Sequence, residues 1–144
     1  LPFCGYNMAD YWGHWLKIGA TADPEKLPKI YQVNWFRKDE NGKFIWPGFG
    51  ENSRVLAWIV ERVEGRTDAE ATAIGAKPKS GDLYVEGLDM SDEQIEELFA
   101  VDPDSWLAEC DLTEEYFEKF GDRVPQALRD ELAALRGRLE AAKG

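Results

Sequence analysis

The sequence predicts an α+β fold in which a strand and a β-hairpin pack with about five or six helices. Alternation of side chains over residues 29–35 indicates a strand, and the Asn41-Gly42 pair indicates a tight hairpin. Capping residues followed by apolar residues at helical spacing occur on both sides of this unit. These observations favour an α+β chain over an autonomous doubly wound fold.

The first helix is predicted over residues 8–18. Asn7 precedes it and can cap its first amides, and Gly19 follows it at the position that helix ends favour. The apolar residues at helical spacing are Met8, Tyr11, Trp12, Trp15 and Leu16. Residues 19–28 form a loop, because Pro28 cannot continue a helix into the next segment.

A strand and a hairpin are predicted next. In residues 29–35, Tyr31, Val33 and Trp35 point to one face, and the residues between them point to the other. The Asn41-Gly42 pair suits a type I′ turn, so the hairpin extends over residues 36–46.

A glycine-flanked loop, residues 47–53, leads into the next helix. Asn52 or Ser53 is expected to cap that helix, which ends at Gly65. Its apolar stripe is Val55, Leu56, Ile59, Val60 and Val63. Residues 66–87 are mixed, with a short strand expected at residues 83–85.

The C-terminal part is predicted to be helical. Its helices are expected to begin at Ser91, Asp102, Thr113 and Pro125. Gln94 completes a capping box, Pro103 suits a first helical position, and the third helix ends at Gly121. The last helix has an apolar stripe of Leu128, Leu132, Leu135 and Leu139.

Composition and charge exclude several classes of protein. The 144 residues are 44% hydrophobic and 31% charged, as in a soluble domain, and the net charge of −11 argues against a duplex nucleic-acid binder. The longest apolar run has six residues, far short of a membrane span, and no secretory signal is visible. Two cysteines and one histidine provide neither a disulfide framework nor a zinc set, so we expect a cytoplasmic location. The initial Leu1 suggests a processed, trimmed or longer chain.

Aromatic residues are concentrated in the first part of the chain. Residues 1–58 contain 12 of the 18, including five of the six tryptophans. The four expected to form a flat slot at the hairpin are Trp35, Phe36, Phe44 and Phe49. Such slots suit nucleobases, which stack on aromatic faces. The alternative is that these rings belong to the core.

Polar groups next to the slot could read the edge of a base. Gly48 and Gly50 allow the backbone to approach a ligand, and the N–H groups of residues 50–52 lie at a helix start, where they lack intrahelical partners. Fixed donors favour a carbonyl such as guanine O6, whereas the Asn52 amide could flip and suit either purine. Alternatively, the glycines only shape a turn and Asn52 is only a helix cap.

Two stretches of the chain resemble GTP-dependent phosphoenolpyruvate carboxykinase. Residues 33–38 (VNWFRK), the hairpin and residues 44–54 (FIWPGFGENSR) are very similar to the guanine-pocket region of that family. Residues 2–7 (PFCGYN), His14-Trp15 and residues 27–30 (LPKI) resemble the segment upstream of it, in the same order. The resemblance is good over residues 1–65 and looser to the end, where the acidic helices of residues 91–144 fit the family's C-terminal tail.

The resemblance implies a guanine site and a parent activity. Phe36 and Phe49 would sandwich the guanine of GTP, Phe44 and Trp35 would wall the slot, and the stretch Phe49, Gly50, Glu51 and Asn52 would contact the base. The whole enzyme would be a lyase, a decarboxylase with phosphoryl transfer in gluconeogenesis. It would convert oxaloacetate and GTP to phosphoenolpyruvate, GDP and carbon dioxide, using Mn²⁺ and Mg²⁺.

The sequence departs from the family's catalytic pattern. It contains no GxxxxGK[ST] phosphate loop, and its single histidine, His14, provides no metal set. We therefore expect residues 1–144 to be the C-terminal part of the nucleotide-binding catalytic domain, inactive alone and without metal ligands or catalytic residues. The remainder of the enzyme would be the partner of this part. The parent is expected to be monomeric, and an isolated piece to self-associate.

Two other functions are compatible with the pattern. Exposed aromatic platforms also stack on sugar rings, so a non-catalytic module that binds carbohydrate or nucleotide is an alternative. A helical tail that docks on a catalytic body is the other, and it is compatible with the carboxykinase hypothesis.

Overall fold

The computed structural model describes residues 4–143, which divide into two units. Residues 4–28 and 102–143 form one unit, which is helical, and Lys29–Val101 form the other, which contains the hairpin. The class is α+β, as predicted. Among the described residues, no helix combines the length and the apolar character that a membrane crossing needs.

The helical unit contains α1 (Met8–Thr21), α4 (Pro103–Glu118) and α5 (Gln126–Ala141). Short 3₁₀ turns lie at Pro24–Lys26 and Gly121–Arg123. The buried residues of its core are Ala9, Cys110, Phe120, Val124 and Leu139. The ring of Trp12 packs edge-on against that of Phe120, with centroids 4.8 Å apart.

The other unit contains α2 (Asn52–Val63), α3 (Asp92–Phe99) and a two-stranded antiparallel sheet. Its strands are β1 (Glu70–Thr72) and β2 (Gly75–Lys77), paired with Ala71 opposite Ala76. Trp46, Trp58 and Leu83 form the buried centre of the core.

Several helix boundaries were predicted correctly. The Asn7 side chain accepts from the Ala9 N–H at 2.9 Å and caps α1. Ser91 and Gln94 form the expected capping box, and Asp102 caps α4 ahead of a proline. Gly65, just beyond the end of α2, is left-handed, with φ of 72°.

Other boundaries were predicted wrongly. The first helix runs through Gly19 to Thr21, and α4 runs through Thr113 without a break. Thr113 lies inside α4, and its hydroxyl donates to the Glu109 carbonyl, one turn earlier, at 2.9 Å. Pro125 precedes the first residue of α5 instead of beginning it.

The predicted strands over residues 29–35 and 83–85 are absent from the described part of the chain, whose only strands are β1 and β2. Residues 30–35 do alternate in exposure as predicted: Tyr31, Val33 and Trp35 are half-buried, and their neighbours are exposed. The segment has the expected two faces but pairs with no neighbouring strand.

The hairpin forms around a different turn from the predicted one. The Gly42 N–H donates to the Asp39 carbonyl at 3.0 Å, so Glu40 and Asn41 are the central residues of the turn. Gly42 follows with φ of 79°, and no described residue other than glycine has a positive φ. A type I′ turn centred on Asn41-Gly42 would need a left-handed Asn41. The two arms meet at a single antiparallel bridge, Lys38 to Phe44.

Candidate functional site

The hairpin and the turn before α2 form an open cavity of about 670 Å³. Its lining residues are Trp35, Phe36, Lys43, Phe44, Trp46, Pro47, Gly48, Phe49 and Asn52. They all belong to the Lys29–Val101 unit. The volume lies within the range of about 300–1,000 Å³ that small-molecule sites occupy.

Three phenylalanines of the cavity are far more exposed than core residues. Phe36 is 72% exposed, Phe44 51% and Phe49 93%. The rings of Phe36 and Phe44 lie edge to face with centroids 5.9 Å apart, whereas Phe49 pairs with no other ring among the described residues. Large apolar groups that stay this exposed contribute little to the core, so these three rings are surface groups.

The hairpin arm that carries Phe36 is held by hydrogen bonds on both sides of that residue. The Asn34 side chain accepts from the Phe36 N–H at 2.9 Å. The Arg37 guanidinium donates to the carbonyls of Leu98 and Ala100, both at 3.0 Å, and so satisfies acceptors at the end of α3. These hydrogen bonds fix the backbone at Phe36, while its side chain remains exposed.

Asn52 has a different partner from the one expected. It is the first residue of α2, its side chain makes no capping bond, and neither it nor Ser53 is the N-cap. The buried indole of Trp46 donates through Nε1 to the Asn52 Oδ1 at 2.8 Å. The 3₁₀ turn Phe49–Glu51 leads directly into α2, and this moves the cap position to Glu51.

The 3₁₀ turn also uses two of the three backbone donors that were expected to be free. The Glu51 N–H donates to the Gly48 carbonyl at 3.1 Å, and the Asn52 N–H donates to the Phe49 carbonyl. The Gly50 N–H has no acceptor among the described residues. One backbone donor is therefore available at this turn instead of three.

The two glycines of the turn differ in conformation. Gly48 has φ of 120° and ψ of −165°, a region that only glycine adopts readily. Gly50 has an ordinary φ, and an added Cβ there would meet nothing within 4 Å. The backbone of this turn requires glycine at position 48 but not at position 50.

Two of the proposed base-contacting residues, Gly50 and Glu51, do not line the cavity. The Glu51 carboxylate is 2.5 Å from Nε of Arg54, which also donates to the carbonyls of Tyr84 and Glu86. The side chain of Glu51 therefore ties the start of α2 to a neighbouring loop.

Trp46 is one of the cavity residues that sequence reasoning missed. It was part of the quoted motif but was assigned no role, although Phe44 and Trp46, two apart in one arm, share a face in an extended segment. Lys43, Pro47 and Gly48 also line the cavity, and nothing in the sequence pattern singles out Lys43.

Metal ligands are not clustered in the described residues. Residues 4–143 contain no group of three or more His, Cys, Asp or Glu side chains arranged to hold an ion. The polar groups at the cavity are an amide, a lysine and backbone, which suit hydrogen bonding to a ligand.

An open pocket lined by exposed aromatic rings and a few polar groups is typical of sites that bind planar ligands. The sequence model of the phosphoenolpyruvate carboxykinase C-terminal P-loop domain matches residues 1–138. The chain therefore belongs to the phosphoenolpyruvate carboxykinase family, which confirms the resemblance seen in the sequence.

Similar proteins carry the name phosphoenolpyruvate carboxykinase [GTP]. The one from Treponema pallidum (strain Nichols) is 53% identical over 145 residues, covering 100% of this chain and 24% of that protein. Those from Neocallimastix frontalis and Paenarthrobacter aurescens are 53% and 49% identical, covering 99% and 96% of this chain and 23% of each relative. The chain thus spans about a quarter of the length of these relatives.

Proposed function

We propose that this chain is the C-terminal, guanine-binding part of a GTP-dependent phosphoenolpyruvate carboxykinase. The full-length enzyme converts oxaloacetate and GTP to phosphoenolpyruvate, GDP and carbon dioxide, as a cytoplasmic monomer in gluconeogenesis. Family membership and the names of the relatives support the reaction. The observation that carries the role of this part is the cavity lined by Trp35, Phe36, Phe44, Phe49 and Asn52.

Stacking supplies the affinity for the base. Phe36 and Phe49 line one cavity, and their exposed faces are available to a planar ligand. We propose that the guanine lies between them, with Phe44 and Trp35 as walls. A base on an aromatic face gains about 1–3 kcal/mol.

Hydrogen-bond donors at the edge of the cavity supply the preference for guanine. The Asn52 amide lines the cavity, and the Gly50 N–H, although Gly50 is not a lining residue, lies next to Phe49 in the turn into α2. Donors at this edge pair with the O6 carbonyl of guanine and oppose the amino group that adenine carries at the same position. Glu51 acts through Arg54, by fixing the turn.

The family resemblance implies Mn²⁺ and Mg²⁺, but the described residues offer no cluster that fits either ion. We propose that the chain's own residues bind and orient the nucleotide. The 144-residue chain by itself is expected to form no phosphoenolpyruvate.

The test compares GTP and ATP in the full-length protein that contains this chain. We expect phosphoenolpyruvate to form from oxaloacetate with GTP and not with ATP, and GTP to quench the tryptophan fluorescence more strongly at equal concentration. Asn52→Ala should weaken GTP binding, whereas Ile30→Ala, an exposed position outside the cavity, should not. Equal use of both nucleotides by the wild type would refute the proposal.

A further inference from the structure

The hydrogen bond between Trp46 and Asn52 has a consequence for base selectivity. A neutral amide can present either its oxygen or its NH₂ group, and a freely rotating asparagine therefore recognises guanine and adenine about equally well. Selectivity requires that one orientation be held.

The indole of Trp46 holds the Asn52 amide in one orientation. Its Nε1–H donates to the Asn52 Oδ1 at 2.8 Å. If the amide turned over, Nδ2 would face the indole N–H, donor against donor, and the buried indole would lose its only hydrogen bond to the described residues. The loss would fall on a largely buried side chain, because Trp46 is only 6% exposed.

Trp46 is itself fixed by the core. It packs with Trp58 and Leu83, and its ring lies 6.2 Å, centroid to centroid, from that of Trp35. Asn52 is fixed at the other end by its place as the first residue of α2. With Oδ1 turned to the indole, Nδ2 lies at the other end of the amide and has no hydrogen bond to any other residue of the described chain.

We propose that Trp46 is a specificity-determining positioning residue: it holds the Asn52 amide with its NH₂ group available to the ligand and so selects 6-oxopurine nucleotides over 6-aminopurine nucleotides. This inference rests on the proposed guanine-binding function. Trp46 acts through Asn52 and contributes no proton or nucleophile.

The experiment measures the ratio of the dissociation constants of ATP and GTP in the full-length protein. Two variants remove the indole N–H: Trp46→Phe, and an isosteric replacement of Trp46 by benzothienylalanine, which keeps the shape of the ring. We expect the preference for GTP to fall roughly tenfold in each, the change that about 1.4 kcal/mol produces. ITP keeps the O6 carbonyl but lacks the 2-amino group, and its dissociation constant should change in the variants as that of GTP does.

Controls separate positioning from general damage to the pocket. Phe49→Ala removes a stacking face of the cavity without touching Trp46 or the Asn52 side chain, so it should weaken the binding of both nucleotides in parallel and leave the ratio unchanged. In an Asn52→Ala background, replacing Trp46 should not change the ratio further, because the residue it positions is gone.

The outcomes distinguish this inference from the proposed function. A wild-type protein without preference for GTP refutes the guanine-binding proposal itself. If the wild type prefers GTP and the isosteric variant keeps that preference, the positioning role of Trp46 is refuted while the proposed function stands. ITP binding that resembles ATP binding would likewise overturn the assignment of the amide to the 6-position.

Discussion

Replacing Phe49 by alanine should separate ligand binding from folding more cleanly than any other change at the cavity. Phe49 is 93% exposed, and its ring makes no aromatic pair in the described part of the chain. Its removal should change the free energy of unfolding by no more than about 0.5 kcal/mol, as at ordinary surface positions. The substitution should therefore change the affinity for the ligand and leave the stability of the protein unchanged.

The expected loss of affinity follows from stacking on one face of the base. A contribution of about 1–3 kcal/mol corresponds to a roughly 5- to 150-fold rise in the dissociation constant of GTP. Because stacking does not depend on the identity of the base, ATP binding should weaken by a similar factor. The preference for GTP over ATP should then be preserved, in contrast to the Trp46 variants.

The assay combines a nucleotide titration with thermal unfolding of the full-length protein. Ile30→Ala is the matched control, since Ile30 is 76% exposed in the same unit but does not line the cavity. Both variants should unfold at the wild-type temperature, and only Phe49→Ala should bind GTP more weakly. Unchanged GTP affinity in Phe49→Ala, with normal unfolding, would refute the stacking argument.

Three further predictions concern the scaffold. Leu139→Ala should destabilise the protein by about 2–5 kcal/mol in urea unfolding, because Leu139 is fully buried. Gly48→Ala should cost about 1–3 kcal/mol and weaken GTP binding, since φ of 120° strains any other residue. The Ser105 hydroxyl, which donates to Asp102, lowers the pKa of that carboxyl below its ordinary 3.8. The free energy of unfolding that this lowered pKa contributes should be present above pH 3.8 and be lost as the pH falls through the lowered pKa. Urea midpoints measured against pH should show this loss in the wild type. The Asp102→Asn variant should not show it.

Two of these predictions have a control variant in the same chain. Leu112→Ala, at a position 56% exposed, should leave the urea midpoint unchanged. Gly50→Ala should not strain the backbone, because its φ is ordinary and an added Cβ has room. Equal effects at Gly48 and Gly50, or an acid profile that is the same with and without Asp102, would contradict the reasoning.

Capping residues in the sequence correctly predicted the helix starts at which the hydrogen-bond donor and acceptor of the cap lie within three residues of each other. Asn7 bonds the amide of Ala9, and Ser91 and Gln94 bond each other's backbone, regardless of what packs around them. The prediction that the first helix ends before Gly19 failed, because an isolated glycine inside a helix costs only about 1 kcal/mol and the helix continues through it.

Sheet formation was the least predictable feature of the fold. Residues 30–35 alternate as a strand should, yet they pair with nothing in the described chain, whereas the short strands 70–72 and 75–77 lie in a stretch without clear alternation. A strand exists only when a second backbone lies beside it, and a sequence pattern specifies the faces of a segment without specifying its neighbour.

The sequence by itself determined the α+β class, several of the helix caps, the family and four of the five aromatic residues that line the cavity. The tertiary structure decided which aromatic side chains are buried and which are exposed. It buried Trp46 and Trp58 against Leu83, and it left Phe36 and Phe49 at the surface. It also gave the Asn52 amide a partner in the hairpin instead of the helix start. The physical reason is that burial and side-chain hydrogen bonds depend on where distant segments pack, whereas caps and periodicity depend on residues a few positions apart.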